Sequence, residues 1–248
     1  MKQLNWFYGF KFKLNIGLMK RHIYSAITHD RLNLTVILCL SSLFSVTLVA
    51  FRMYYSYSNT YRFLIWNLFL AFIPYIISTV LLANYNKINS KLIIAIPLFV
   101  WLIFFPNAPY IVTDLFHLYP KDNVPFWYDL GLLFSFIWIG LIIGFISLRD
   151  IQIILNNFFR KIFSWLITII SIVLASFGIY LGRFENWNSW DIFTNPLLIG
   201  MAVTERLSHP FVHPRTILMT LLYSLIFTLG YLTFLNLRRP GIHTTNKH

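Results

Sequence analysis

From Leu34 onward the chain alternates between long apolar runs and short polar interruptions. Six runs stand out, at about Leu34–Phe51, Phe63–Ala83, Leu92–Phe105, Trp127–Leu148, Ile162–Gly182 and Thr216–Asn236. Five are long enough for a helix to cross a hydrocarbon core, which takes roughly 20 residues. The third is short, since a helix from Leu92 to Phe105 rises only about 21 Å. It must borrow from Ile88 and Asn89 or from the segment beyond Pro106. The pattern predicts an all-α, polytopic transmembrane helical bundle of about six spans, with short amphipathic interfacial helices on the outer side. Residues 1–33 read as a basic and aromatic tail, 34–236 as the membrane domain and 237–248 as a second tail.

Composition agrees with the pattern. The chain is 58% hydrophobic and 11% charged, where a soluble domain carries roughly 25% charged residues. The formal net charge is +12, and its placement matters more than its size. Most Lys and Arg fall on the N-terminal tail, around Lys87 and Lys91, around Arg149, Arg160 and Lys161, and on the C-terminal tail. Asp114, Asp122, Asp129, Glu185, Asp191 and Glu205 all fall on the opposite side. Positive residues favour the cytoplasm, so both termini are expected there, in a bacterial plasma membrane. The basic face then meets anionic lipid, and topology explains the charge without nucleic acid. The tail "NWFYGFKFKLNIGLMKRHIY" is either an amphipathic segment lying in the interface or an ordinary anchor of the first span. The single cysteine, Cys39, excludes a disulfide framework or CxxC site within one chain.

The polar chemistry gathers in two connections on the outer side. The first follows the third span: "FFPNAPYIVTDLFHLYP". Asn107 is a good N-cap, and Pro109 fits a first helical turn. From there Tyr110, Thr113, Asp114, His117 and Lys121 recur at three- and four-residue steps, one face of an amphipathic helix. Pro106 and Pro109 should break or kink the third span away from it. Asp114 and His117 are neighbours on that face. Such a pair suits general acid–base catalysis or half of a metal site. Equally, it suits an interfacial helix whose polar groups face water or bond a neighbouring loop.

The second connection reads "RFENWNSWDIFTNPLLIGMAVTERLSHPFVHPR". Trp187 and Trp190 suit a membrane interface. Asn195 followed by Pro196 predicts a short helix to about Leu207. His209 and His213 share a helical spacing, but each precedes a proline, which favours extended backbone and separates them. A metal is therefore not expected, with Asp114, His117, His209 and His213 as the weak alternative set. No cofactor is required by the sequence. Arg183 closes the fifth span as a snorkelling anchor, a phosphate contact, or a partner of Asp191 or Asp129. For Asp129 itself, the helix dipole is a sufficient account.

No ionisable residue falls near the middle of any span, which argues against an ion- or proton-coupled pump. Gly140 and Gly144 form a GxxxG in the fourth span, a signature of close helix contact.

The motifs "FFPNAPYIVTDLFHL", "PFWYDLGLLFSFIWIGLIIGFISL", "GRFENWNSWDIFTNP" and "HPFVHPRT" together resemble the bacterial integral membrane family designated domain of unknown function 1361, over roughly residues 92–236. The resemblance implies the same fold class and supplies no reaction. It marks Pro106, Asn107, Pro109, Tyr110, Asp114, His117, Asp129, Gly182, Arg183, Phe184, Trp187, Asn188, Ser189, Trp190, Asp191, Asn195 and Pro196. Two functions fit. One is a non-catalytic membrane partner or small-solute facilitator, in which these polar groups brace the two connections. The other is a membrane-embedded enzyme or binding protein for an envelope lipid or lipid-linked substrate. There Asp114 and His117 would act, and Tyr110, Asn107, Arg183, Asn188, Asp191, Trp187 and Trp190 would contact the ligand or an anion.

Overall fold

The structure, a computed structural model, describes residues 16–84, 91–120, 124–209 and 211–237, with side chains from Arg31 onward except those of residues 91–93. The basic tail read as an interfacial segment, Lys121, Asp122, Lys87 and the C-terminal tail lie wholly or mainly outside the described residues. Two compact units divide the chain, Met1–Leu40 and Ser41–His248. In the first, the described backbone is helical from Ile16, and Thr35 donates its hydroxyl back to Arg31 O at 2.8 Å.

The described residues are almost entirely helical. The long helices are α1 (Ile16–Ser56), α2 (Phe63–Asn84), α3 (Lys91–Phe104), α5 (Phe126–Phe158), α6 (Lys161–Phe184) and α9 (Pro214–Leu237). Between them lie the single turn α4 (Asn107–Tyr110), a 3₁₀ segment Ile111–His117, α7 (Asp191–Thr194) and α8 (Pro196–Ser208). Six segments are long and apolar enough to cross a membrane, and the chain is a multi-pass membrane protein. Its outer surface carries Trp66, Phe69, Ile76 and Val80 on α2, and Phe134 and Trp138 on α5. Such a continuous apolar surface is stable in lipid and would aggregate in water. Inside Ser41–His248, α2 packs along α5, α6 along α9, and α3 against α2.

Three details differ from the sequence expectation. The fourth span does not stop at Leu148. α5 continues to Phe158 and carries Arg149 and Asp150 within it. Asp150 is buried and accepts from Ser78 Oγ at 3.3 Å. Ser147 beside it accepts from Trp101 Nε1 at 2.7 Å and donates to Pro74 O at 2.9 Å, so one hydroxyl ties α2, α3 and α5. Polar groups buried this way need partners, and these have them.

The third span breaks at Phe105–Pro106, as its prolines predict, with α3 ending at Phe104 and α4 beginning at Asn107. The apolar segment extends from Ile94 to His117. Pro106 holds helical angles (φ −57°, ψ −27°) and occupies the cap position expected of Asn107. The Ala108 N–H turns to Phe105 O at 3.2 Å, and the Asn107 side chain donates to Phe104 O at 2.8 Å. A side-chain amide thus serves the carbonyl that the tightened turn leaves behind. Asn195 likewise precedes α8 without a side-chain cap, although Pro196 does occupy its first turn.

Glycine seats this bent segment. Gly140 approaches so closely that a Cβ there would stand 2.8 Å from Ala108 O, and one on Gly144 would meet Ala108 Cβ at 3.3 Å. On α6 a second GxxxG, Gly178 and Gly182, faces Pro106 Cγ at 3.1 Å and Tyr110 Cε2 at 3.1 Å. The GxxxG of α5 therefore receives a turn of the same chain, not another spanning helix. The Pro106–Tyr110 turn is wedged between two glycine pairs. Replacing Gly140 by Ala should lower stability by about 1–3 kcal/mol through overpacking. Gly131→Ala, on the same helix with open space around it, should not. Thermal unfolding of the two variants in detergent distinguishes them.

Candidate functional site

The 3₁₀ segment Ile111–His117 turns its polar side into the protein. Thr113 and Asp114 are both 0% exposed, whereas Leu115 and Phe116 are 39% and 56% exposed. Of the two settings the sequence allowed this face, water or a neighbouring segment, Thr113 and Asp114 take the second, while His117 at the end of the segment stays exposed. In lipid this is the favourable arrangement, because hydrocarbon solvates Leu and Phe and cannot solvate a carboxylate.

What receives that polar side is Arg183, in the last turn of α6. Its Nη2 lies 2.5 Å from Asp114 Oδ1. Nε and Nη2 both donate to Thr113 Oγ1, at 3.0 and 2.9 Å, and Nη1 donates to His117 Nε2 at 2.7 Å. The guanidinium carbon sits 4.7 Å from the Tyr110 ring centroid, in cation–π contact. Asp114 Oδ2 accepts from Asn67 Nδ2 on α2 at 3.0 Å. The helix dipole adds to the preference for a cation at this end of α6. Arg183 thus pairs with Asp114, not with Asp191 or Asp129 as the sequence allowed. Because an Arg always donates, the Nε2 lone pair of His117 is committed and the ring is a neutral acceptor there.

Asp129 has its own partner. Arg52, on α1, donates Nε to Oδ1 at 2.8 Å and Nη2 to Oδ2 at 3.1 Å, with both side chains almost fully buried. The dipole account of Asp129 omitted this second, bidentate ion pair. Arg52 also lies 4.7 Å over the Tyr61 ring. Burial, with the Asp129 carboxylate adding to it, pushes the Tyr61 hydroxyl up to about 12. Tyr61 therefore remains a protonated donor at physiological pH, and reaches His117 O at 3.4 Å.

The second connection divides its residues. Asp191 turns to its own loop, accepting from the Asn188 backbone N–H at 2.8 Å, Asn188 Nδ2 at 3.3 Å and Thr194 Oγ1 at 3.2 Å. Asn186 adopts a left-handed φ of 59° to turn the chain out of α6, a conformation Asn tolerates. Trp190 stands edge-on to Trp66 of α2, with ring centroids 6.2 Å apart. Arg206 on α8 pairs with Glu185 at 2.6 Å and Glu205 at 3.1 Å. His213 Nε2 lies 3.5 Å from Glu205. The Val212 N–H donates to His209 O at 3.1 Å, a contact that the expected extended run would not make. Among the described residues no three His, Cys, Asp or Glu gather to hold a metal ion, and Asp114, His117, His209 and His213 make no such group.

Beside the ion pair lies a partly open cavity of about 380 Å³. Asn67, Asn107, Tyr110, Trp187, Asn188 and Ser189 line it with Trp66, and Leu70, Leu102, Ile103, Leu174, Phe177, Leu181, Ile199 and Val203 supply apolar wall. Asn107 Nδ2 donates to Ser189 Oγ at 2.9 Å across 82 residues, joining the two connections. Of the residues singled out from sequence, Asn107, Tyr110, Trp187 and Asn188 therefore meet at this cavity. Asp114, His117 and Arg183 meet behind Tyr110. Sequence reasoning placed Thr113 on the polar face and marked Ser189 and Gly182 only through the family resemblance, and it missed Asn67 and Gly178 as parts of the site. The glycine spacing "GIYLG" was a visible signal, and so was Asn67 as the amide inside an apolar run.

The family described as "Protein of unknown function (DUF1361)" matches residues 66–229. The chain belongs to this family. No curated protein and no solved structure matches it. The DUF1361 segment begins at Trp66, well before the residue-92 boundary of the resemblance. It thereby takes in Asn67 and the α2 wall of the cavity, along with both connections.

Removing Arg183 alone, as Arg183→Met, should cost about 3–5 kcal/mol, because Asp114 is left as a buried charge without its counter-ion. Pairing it with Asp114→Leu should recover most of that loss. His117→Ala, at a partly exposed acceptor, should cost about 1 kcal/mol. Unfolding midpoints of the single and double variants in detergent provide the comparison.

Proposed function

We propose that this protein is a non-catalytic, membrane-embedded binding protein for a small uncharged amphiphile, held in the cavity between α2, α3, α6 and α8. The observation that carries this reading is the separation of charged from uncharged groups at Tyr110. Arg183 lies against its ring, tied to Asp114, Thr113 and His117. Among the described residues, the wall of the cavity that Tyr110 also lines contains no Asp, Glu, Lys, Arg or His. Its polar groups are amides and hydroxyls, and the rest is aliphatic and aromatic. Its volume falls in the range of ligand pockets, about 300–1,000 Å³.

The same geometry argues for bracing over catalysis at Asp114 and His117. A general base needs a lone pair within reach of substrate, and His117 Nε2 receives Arg183 instead. A bidentate phosphate contact would need two free guanidinium donors, and Thr113, His117 and Asp114 already take four of the five. The distribution of Lys and Arg supports placing the cavity at the outer leaflet of the plasma membrane, with both termini cytoplasmic.

The test is photolabelling in phosphatidylcholine nanodiscs with a diazirine-bearing long-chain alcohol, followed by peptide mapping. Label should concentrate on peptides containing Leu102, Phe177 and Val203, and Val203→Trp should abolish it there without lowering the unfolding midpoint. Label spread evenly over lipid-facing residues such as Phe69, Trp138 and Leu225 would sink the reading.

A further inference from the structure

We infer that the cavity selects the hydroxyl-rich, uncharged head group of a membrane lipid, a sugar or glycerol moiety carried on an apolar chain. This deepens the binding reading above and rests on it.

The argument begins with the orientation of three asparagines. Asn67 Nδ2 donates to Asp114 Oδ2 at 3.0 Å, Asn188 Nδ2 to Asp191 Oδ2 at 3.3 Å, and Asn107 Nδ2 to Phe104 O at 2.8 Å. Carboxylates and backbone carbonyls only accept. None of the three amides can therefore be turned over without placing two acceptors against each other. The Asn107 NH₂ spends both its hydrogens on the protein, Asn67 and Asn188 each keep one N–H, and none of the three Oδ1 atoms accepts a hydrogen bond among the described residues. The wall therefore offers three amide acceptors and fewer amide donors, all of them uncharged.

Such a wall recognises O–H or N–H groups. A phosphate or carboxylate would face three carbonyl oxygens with no cationic side chain in the wall. A free ammonium would find acceptors but no carboxylate to balance its charge. A polyol satisfies both conditions, since each hydroxyl donates to an amide oxygen and accepts in return. Two hydroxyl donors join the spare amide N–H groups of Asn67 and Asn188: Ser189 Oγ receives Asn107 and so has its own proton to give, and the Tyr110 hydroxyl makes no hydrogen bond among the described residues. The flat walls of Trp66 and Trp187 suit the C–H face of a sugar ring. Leu102, Leu174, Phe177 and Ile199 favour an attached chain over a free polyol.

The experiment uses the full-length protein in phosphatidylcholine nanodiscs, labelled with a diazirine-bearing alkyl glucoside. Unlabelled monoglucosyl diacylglycerol, phosphatidylglycerol, additional phosphatidylcholine and free glucose serve as competitors. The glucolipid should compete about tenfold better than either phospholipid, and free glucose should compete weakly. Asn188→Leu removes one acceptor from an exposed loop. It should reduce glucoside labelling about tenfold more than it reduces labelling by the plain long-chain alcohol. Equal competition by phosphatidylcholine overturns head-group selection while the binding reading stands. Free glucose competing as well as the glucolipid overturns the lipid as source. Absence of cavity labelling by both the glucoside and the plain alcohol overturns the binding reading itself.

Discussion

A carboxylate inside a membrane protein must meet a counter-charge, and the contact between Asp114 and Arg183 organises what surrounds it. Asp114 sits on a 3₁₀ segment that follows a proline-bent span, and Arg183 ends a different span. Bringing them to 2.5 Å fixes the rotation of the 3₁₀ segment, because Thr113 and His117 must then also face α6. That rotation sends Leu115 and Phe116 outward. It also sets Tyr110 under the guanidinium, where its other side becomes cavity wall. Asn67 completes the carboxylate's hydrogen bonding and brings α2 to the same point. The cavity exists at this place because three helices converge on one buried charge.

The glycine pairs make that convergence sterically possible. An ion pair supplies attraction but no room, and the Pro106–Tyr110 turn needs its backbone against both α5 and α6. Gly140 and Gly144 open one side, Gly178 and Gly182 the other. The buried Arg52–Asp129 pair acts similarly on the α1–α5 contact, where its bidentate geometry fixes both position and angle. Lipid offers little hydrophobic force between helices, so close packing and satisfied polar contacts carry a larger share of the specificity.

Much of this was legible in the sequence. Apolar run length gives five of the six spans, because hydrocarbon thickness is a fixed ruler, and the third reaches that length only with the segment beyond Pro106. The spacing of Tyr110, Thr113, Asp114 and His117 correctly places them on one face. What spacing does not encode is the direction of that face. Amphipathicity is symmetric between a helix that shows polar groups to water and one that shows them to a buried arginine. The cap at Asn107 failed for a related reason: a helix does start there, but Pro106 takes the cap position while the Asn107 amide serves the stranded Phe104 carbonyl. Partner choice was the least legible feature. The sequence offered Arg183 two acids, Asp191 and Asp129, and the partner it takes is a third, Asp114, with Thr113 and Asn67 buried around it.

The distance along the chain between the two charges has a consequence for synthesis. Asp114 precedes Arg183 by 69 residues. At about 5–20 residues per second, the carboxylate emerges several seconds before its partner exists. The third segment must therefore wait near water, or in the protonated form, until the fifth enters the bilayer. Insertion of this chain is not a sequence of independent helices. The bend at Pro106 becomes final only when Arg183 arrives, so the middle of the protein is completed by a residue translated long after it.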